Sequence, residues 1–148
     1  MDFKERLDMY LEGGMITEND VKDIEAVVKL FKDEYGVELS EENAATFIAH
    51  LAAAYSRNAT KEELDDLSND MLDEIKALDS YNDSLKILDK IIEVTNNPLN
   101  DVEKNYVLLH LNNLIANLSK TGEWHASWSI LKIIKEDNIY GIWIFTYI

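Results

Sequence analysis

The sequence predicts an all-α protein, a compact bundle of five to six antiparallel helices. Helix-start patterns, with Ser or Thr followed three residues later by Asp or Glu, recur along the first 118 residues. Glycine pairs, single glycines and an Asn-Asn-Pro sequence mark the helix ends. The loops between the helical segments are short, which is typical of antiparallel neighbours. Nothing in residues 1–118 has the pattern of a β-strand.

The elements follow in order from these signals. The expected helices lie near residues 2–12, 18–35, 41–57, 61–77, 81–95 and 101–118. Their start signals are Thr17 with Asp20, Ser40, Thr60 with Glu63, Ser80 with Asp83, and Asn100 with Glu103. Their stop signals are Gly13-Gly14, Gly36 and Asn96-Asn97-Pro98. The fourth helix has an alternative, because Ser68-Asn-Asp can restart it as a shorter helix from residue 69.

The last part of the chain differs in composition, so we divide the chain into a bundle at 1–118 and an aromatic-rich tail at 119–148. All three tryptophans lie in the tail, and its three lysines balance its three acidic residues. Its apolar stretches are rich in β-branched and aromatic residues, which favours a β-hairpin. We expect such a tail to bury itself on the bundle or on a second copy of the chain.

Composition limits the function classes. A chain of 148 residues with 47% hydrophobic and 29% charged residues can bury its own core. The chain has no cysteine, which excludes thiolate and disulfide chemistry and is consistent with a cytoplasmic location. It shows no signal peptide and no apolar run long enough to span a membrane.

The net charge of −15 makes direct binding to nucleic acid unexpected, because such binding depends on neutralising phosphates with Lys and Arg. An acidic surface can instead attract a basic protein partner. The alternative is that the acidity serves solubility alone.

The stretch FIAHLAAAYSR, residues 47–57, places a histidine in an apolar helix. On a helical wheel, one arc forms the core face: Ala44, Phe47, Ile48, Leu51 and Tyr55. His50 lies at the edge of that arc. Arg57, seven residues later, falls almost directly above it, and Asn43 lies on the same line. His50 therefore belongs to a polar stripe beside the core.

The last bundle helix repeats this arrangement. Its core face consists of Val107, Leu111, Leu114, Ile115 and Leu118. His110 lies at the border of that face, with Glu103 seven residues before it and Asn117 seven after it, and Tyr106 on the adjacent polar edge. Two border histidines, each aligned with a charged residue seven positions away, favour a shared role.

Other roles for the histidines remain open. Either one can be a packing residue that bonds a carbonyl group. A metal site is not expected, because neither helix offers a second ligand at i+3 or i+4 as in HExxH, and no cofactor is expected. No nucleophile motif or glycine-rich phosphate loop is present, so we do not expect an enzyme.

Together, F-I-A-H-L-A-A-A-Y-S-R and E-K-N-Y-V-L-L-H-L, separated by a helical stretch with L-D-E-I-K, resemble the PTS regulation domain (PRD). The likeness covers roughly residues 3–118. It implies a compact bundle of about five helices, often homodimeric, of the kind found in bacterial antiterminators and transcription activators. It also implies histidines that accept phosphate from HPr or an enzyme IIB of the sugar phosphotransferase system.

Carried over position by position, the resemblance makes His50 and His110 the phosphoacceptors. The supporting residues would be Arg57, Glu103, Asn43, Tyr106 and Asn117. Two positions depart from the family pattern: Ala49 stands where members often have Asp, and Asn105 stands where a small residue is usual. The chain has no room for a nucleic-acid-binding domain, so we expect a stand-alone PRD acting through protein contacts. The alternative is a dimerisation and interaction bundle that accepts no phosphate.

Overall fold

A computed structural model of the chain describes residues 2–124, and all regular secondary structure in that range is α-helical. The helices, numbered α1 to α6 in chain order, span Phe3–Glu12, Glu18–Tyr35, Glu41–Thr60, Asn69–Ala77, Tyr81–Val94 and Asp101–Lys120. This confirms the predicted all-α bundle. The β-hairpin expected in the tail falls on residues outside the described range.

Most predicted helix starts are confirmed by their capping hydrogen bonds. Thr17 and Asp20 form a reciprocal capping box at α2, and Ser40 forms one with Asn43 at α3. At α6, the Asn100 side chain accepts from the backbone N–H of Glu103 at 2.8 Å. These bonds satisfy N–H groups that the first turn of a helix leaves free.

The helix predicted over 61–77 is wrong in its first half, and the shorter alternative from residue 69 is correct. The third helix continues through Thr60 and ends at Lys61, whose φ of 62° is left-handed. The acidic run in residues 62–66 opposes a helix, because like charges three or four residues apart repel each other. The fourth helix begins after Ser68, whose hydroxyl accepts from the Met71 N–H at 3.2 Å.

Ser80 was expected to cap α5, but its side chain forms no capping bond. Its hydroxyl donates instead to the Oδ1 atom of Asn112, at 2.5 Å. Asn112 is buried in α6 and donates its own amide to the Leu108 carbonyl at 2.9 Å. The Ser80 hydroxyl therefore joins the start of α5 to α6 and supplies the hydrogen-bond donor that the buried Asn112 Oδ1 atom would otherwise lack.

The α3 and α6 helices pack against each other more extensively than any other pair in residues 2–124. The core faces expected from the helical wheels are buried in both helices. Trp124, after the end of α6, is also buried and packs on Tyr35 with ring centroids 5.2 Å apart. None of the helices described has the length and apolarity needed to cross a membrane.

Candidate functional site

His50 and His110 meet at the contact between α3 and α6. Their imidazole rings stack face to face, with centroids 3.7 Å apart and planes 10° from parallel. Each histidine lies at the edge of its helix's core face, so the packing of the two faces brings the edges together. Within residues 2–124, neither imidazole is held by a hydrogen bond.

The two rings differ in their access to solvent. His50 is exposed and His110 is partly buried. Desolvation by the protein atoms around it lowers the pKa of the His50 imidazole, and the charge of Arg57 lowers it further. For His110, burial and then the neighbouring His50 lower the pKa to about 4. Both rings are therefore predominantly neutral at neutral pH, with a nitrogen lone pair available for chemistry.

Arg57 and Glu103 form an ion pair with each other across the helix contact. The Arg57 Nε and Nη2 atoms donate to the two carboxylate oxygens of Glu103 at 2.6 and 3.0 Å. The Glu103 side chain is 4% exposed and that of Arg57 is 20% exposed. The helical wheels align Arg57 with His50 and Glu103 with His110, whereas the structure pairs the two charged residues directly. This pair closes the helix contact about two turns from the histidines along each helix.

A cavity of about 300 Å³ joins the two pairs. Both histidines, Arg57 and Glu103 line it, together with Phe47, Leu51, Ala54, Leu64, Tyr106, Val107 and Leu109. The wall is mostly apolar and the polar groups converge at its edges, an arrangement typical of binding sites. The cavity therefore offers an exposed imidazole and a guanidinium group in one recess.

Asn43 and Asn117 lie on the other side of His110, around a second cavity of about 190 Å³. Asn43 accepts from the Ser40 N–H at 2.7 Å, which caps α3, and it donates to the Glu38 carbonyl at 3.1 Å and to the Glu123 carboxylate at 2.9 Å. Asn117 is exposed. Both residues share this cavity with His110, but neither lies in the recess with Arg57.

Tyr106 lines the first cavity and donates its hydroxyl to the Asp65 carbonyl at 2.8 Å. Beside it, the Asn105 amide donates to the Asp66 carboxylate at 3.0 Å. Residues 61–68 are thus fastened to α6 next to the histidines, and Leu64 adds an apolar side chain to the cavity. Sequence reasoning missed this contribution because it assigned the segment to a helix. The signal was an apolar Leu64 within an acidic run.

Metal ligands do not converge in the described part of the chain. Among residues 2–124, no group of three or more His, Cys, Asp or Glu residues is placed to hold a metal ion. The stacked histidines face each other through their ring planes, and metal ions are bound by ring nitrogens in the plane.

Comparison with protein families connects this geometry to a known domain. A family model described as PRD domain matches residues 25–114, a range that includes both histidines and the ion pair. Searches against curated proteins and against solved structures found no match. Because the family match covers 90 of the 148 residues, more than half of the chain, the chain belongs to the PRD family of regulatory domains of the sugar phosphotransferase system.

Proposed function

We propose that the chain is a regulatory module that accepts a phosphoryl group on His50 or His110 from HPr or an enzyme IIB. Transcription would then be regulated through protein contacts, in the cytoplasm, without direct binding to nucleic acid and without enzymatic activity. The observation that carries the proposal is the pair of stacked imidazoles at the rim of a recess that also contains Arg57.

The transfer requires a neutral imidazole nitrogen as the nucleophile. That nitrogen attacks the phosphorus of the donor's phosphohistidine, so one P–N bond forms as the donor's P–N bond breaks, and the phosphoryl group changes carrier. The lowered pKa values of both rings keep the nucleophile unprotonated at neutral pH. His50 is the more accessible of the two rings, so we propose it as the first acceptor.

A phosphoryl group on His50 adds up to about two negative charges next to the recess. The Arg57 guanidinium is the cation that lines the recess, and guanidinium–phosphate contacts are strong and directional. Arg57 already pairs with Glu103, so the new charge would compete with that carboxylate. We propose this competition as the switch, because it weakens a contact that joins α3 to α6.

The stack also limits how many phosphoryl groups the chain can carry. With ring centroids 3.7 Å apart, two phosphoryl groups would place their charges against each other. We therefore expect one phosphoryl group per chain, with the two histidines competing for it.

The test is labelling with enzyme I, HPr and phosphoenolpyruvate, with and without enzyme IIB proteins. Label incorporation and intact mass are measured for the wild type, His50→Ala, His110→Ala and the double variant. We expect single labelling of the wild type and none of the double variant. His125→Ala is a matched control, since it removes the remaining histidine of the chain and should leave labelling unchanged.

Absence of label with every donor would overturn the proposal. Full labelling of the double variant would overturn the assignment to these histidines. A wild-type chain that carries two phosphoryl groups would contradict the competition between the rings.

A second candidate is a dimerisation and interaction bundle that accepts no phosphate. It is favoured by the Arg57–Glu103 pair, because a guanidinium that is already neutralised attracts a phosphoryl group less strongly. Ala49 and Asn105, which depart from the family pattern, also favour it. Light scattering before and after incubation with the phosphorylation mixture separates the two functions: the second candidate requires a stable dimer whose mass the mixture does not change.

A further inference from the structure

Residues 61–68, which join α3 to α4, form one wall of the recess at the histidines. We call this segment the acidic strap, because it contains four carboxylate side chains and a single lysine. Leu64 of the strap lines the recess together with His110. Tyr106 lines it as well, and its hydroxyl holds the backbone of the strap. The strap therefore bounds the recess on the side of α6.

Two hydrogen bonds hold the strap to α6. The Tyr106 hydroxyl donates to the Asp65 carbonyl at 2.8 Å, and the Asn105 amide donates to the Asp66 carboxylate at 3.0 Å. Both bonds are exposed to solvent. Water competes for the donors and acceptors of such bonds, so each one contributes little to the free energy of the closed position.

The rest of the strap adds few contacts. Leu67 is its buried side chain, and it lies outside the main apolar core of the bundle. Within the described part of the chain, residues 62–67 form no backbone–backbone hydrogen bond. Segments with little buried apolar surface and few backbone bonds open locally at a much lower free energy than the core. The strap can therefore open while the helices stay folded.

Charge connects the strap to the recess. In residues 2–124, none of the strap's carboxylates forms an ion pair with Lys or Arg, so they repel each other without compensation. Hydrogen bonding to Glu103 raises the pKa of the Arg57 guanidinium, and the charges of Glu103 and Glu62 raise it further. The negative charge of the strap is therefore felt inside the recess.

Along the two helices, the strap lies closer to His110 than to His50. Tyr106 precedes His110 by about one turn of α6, so both side chains lie on the same side of that helix. His50 lies about three turns before Thr60, the last residue of α3. The His50 residue is also exposed already, whereas His110 is partly buried. Movement of the strap therefore changes access to His110 more than access to His50.

We propose that the acidic strap is a gate that controls access to His110 from the recess. In the closed position, the bonds from Tyr106 and Asn105 hold the strap, and Leu64 forms part of the wall. When both bonds break, Leu64 leaves the recess and the His110 ring becomes reachable. The gate then regulates which of the two stacked histidines accepts phosphate, a consequence that rests on the proposed phosphate-acceptor function.

The closed strap hinders a phosphoryl donor in two ways. Leu64 blocks part of the approach to His110, and the carboxylates of the strap repel the negative charge of the incoming phosphoryl group. Opening of the strap removes both obstacles at once. The exposed His50 ring is less affected, which agrees with its assignment as the first acceptor.

The test measures access with diethyl pyrocarbonate, a neutral reagent that ethoxycarbonylates the unprotonated imidazole nitrogen. Peptide mass spectrometry at low modification gives the initial rate at each histidine of the full chain. The readout is the His110 rate divided by the His50 rate, so that His50 serves as the internal reference. Tyr106→Phe removes one bond to the strap and leaves the rest of the wall in place. We expect this ratio to rise about 2- to 10-fold, which corresponds to the loss of one hydrogen bond.

Further variants connect the change to the strap. Asn105→Ala removes the other bond and should raise the ratio by a similar factor. In the double variant, the two factors multiply to about 4- to 100-fold if the bonds act independently. Tyr81→Phe and Asn82→Ala are the matched controls, since they make the same changes on α5, away from the recess. Their ratios should stay within about twofold of the wild type.

Phosphate labelling connects the gate to the proposed function. In a His50→Ala background, Tyr106→Phe should speed the labelling of His110 about 2- to 10-fold. An unchanged ratio in the double variant overturns the gate. Equal acceleration at both histidines also overturns it, because it indicates a general loosening of the contact between α3 and α6.

Failure of the gate and failure of the proposed function give different results. A raised ratio without any labelling supports the gate and overturns the phosphate-acceptor function. Labelling of the wild type with an unchanged ratio in every variant does the reverse.

Discussion

At the scale of single residues, burial of the Glu103 carboxylate costs free energy, and its ion pair with Arg57 offsets that cost. Glu103 is almost inaccessible, and its two oxygens both accept from one guanidinium group. Glu103→Gln keeps the volume but leaves the guanidinium without a counterion. We expect a loss of about 2 to 3 kcal/mol in the free energy of unfolding, less than for a completely buried pair because Arg57 is partly exposed. Urea unfolding measures it.

Glu41→Gln provides the matched control, because Glu41 also accepts from an arginine, Arg6, but at a more solvent-exposed site. The side chains of that pair are 17% and 23% exposed. We expect a loss of about 1 kcal/mol or less there. Equal losses in the two variants would show that burial of Glu103 adds nothing to the strength of its pair.

The stacked histidines make stability depend on pH. The pKa of His110 is lowered from its ordinary value of 6.5 to about 4 in the folded state. Between these values the unfolded chain binds more protons, so stability is complete above pH 6.5 and falls as the pH falls toward 4. We expect His110 to contribute about 1 to 2 kcal/mol of that loss, because solvent still reaches the ring. Urea unfolding at a series of pH values tests this.

His110→Gln separates this contribution from that of the many carboxylates, which the variant leaves intact. Its unfolding free energy should fall less steeply than that of the wild type between pH 6.5 and 4. Parallel curves for the two proteins would contradict a lowered pKa for His110. An NMR titration of the ring gives the same answer directly.

At the scale of the helices, α2 ends at a residue whose backbone requires glycine. Gly36 has φ of 66°, and its N–H bonds the carbonyls of the last turn. A Cβ at this position would meet no atom within 4 Å, so backbone strain is the whole cost of a substitution. We expect Gly36→Ala to lower the free energy of unfolding by about 1 kcal/mol. Thermal or urea unfolding measures the change.

Gly36→Asn is the informative comparison, because Asn tolerates the left-handed region better than Ala does. Its loss should be the smaller of the two. A larger loss for Asn would contradict backbone strain as the cause.

Local signals predicted the helix starts, because capping bonds form between residues three positions apart. Thr17, Ser40 and Asn100 illustrate this. Ser80 shows the limit: it has the same local pattern, but the buried Asn112 on another helix takes its hydroxyl. A long-range partner of this kind leaves no trace in the local sequence. The same holds for residues 61–68, which are held by side chains of α6.

For the candidate site too, the sequence predicts some features, and others depend on how the helices pack. Helical wheels placed His50 and His110 at the edges of their core faces, and the structure confirms that placement. A wheel gives the direction of a side chain but not the register of one helix against another. It therefore could not show that Arg57 would meet Glu103, or that the two rings would stack. Both contacts arise from the packing of α3 on α6.

At the scale of the whole molecule, charge is distributed unevenly along the chain. The net charge of −15 belongs to the first 118 residues, since the charges of the tail cancel. In a bundle of this size, the excess negative charges repel each other in the folded state. The unfolded chain relieves part of that repulsion by expanding. Screening by salt reduces the repulsion between exposed charges, because the Debye length falls from about 30 Å at 0.01 M to about 3 Å at 1 M.

Salt should therefore stabilise this protein, although it weakens individual ion pairs. We expect the free energy of unfolding in urea to rise by about 1 to 2 kcal/mol from low salt to about 0.5 M NaCl. The double variant Glu62→Lys, Glu63→Lys changes two exposed residues and reduces the net charge from −15 to −11, since each substitution adds two positive charges. Its response to salt should be smaller. A fall in stability with salt would show that local ion pairs outweigh the overall repulsion. An unchanged response to salt in the variant would contradict the net charge as the cause.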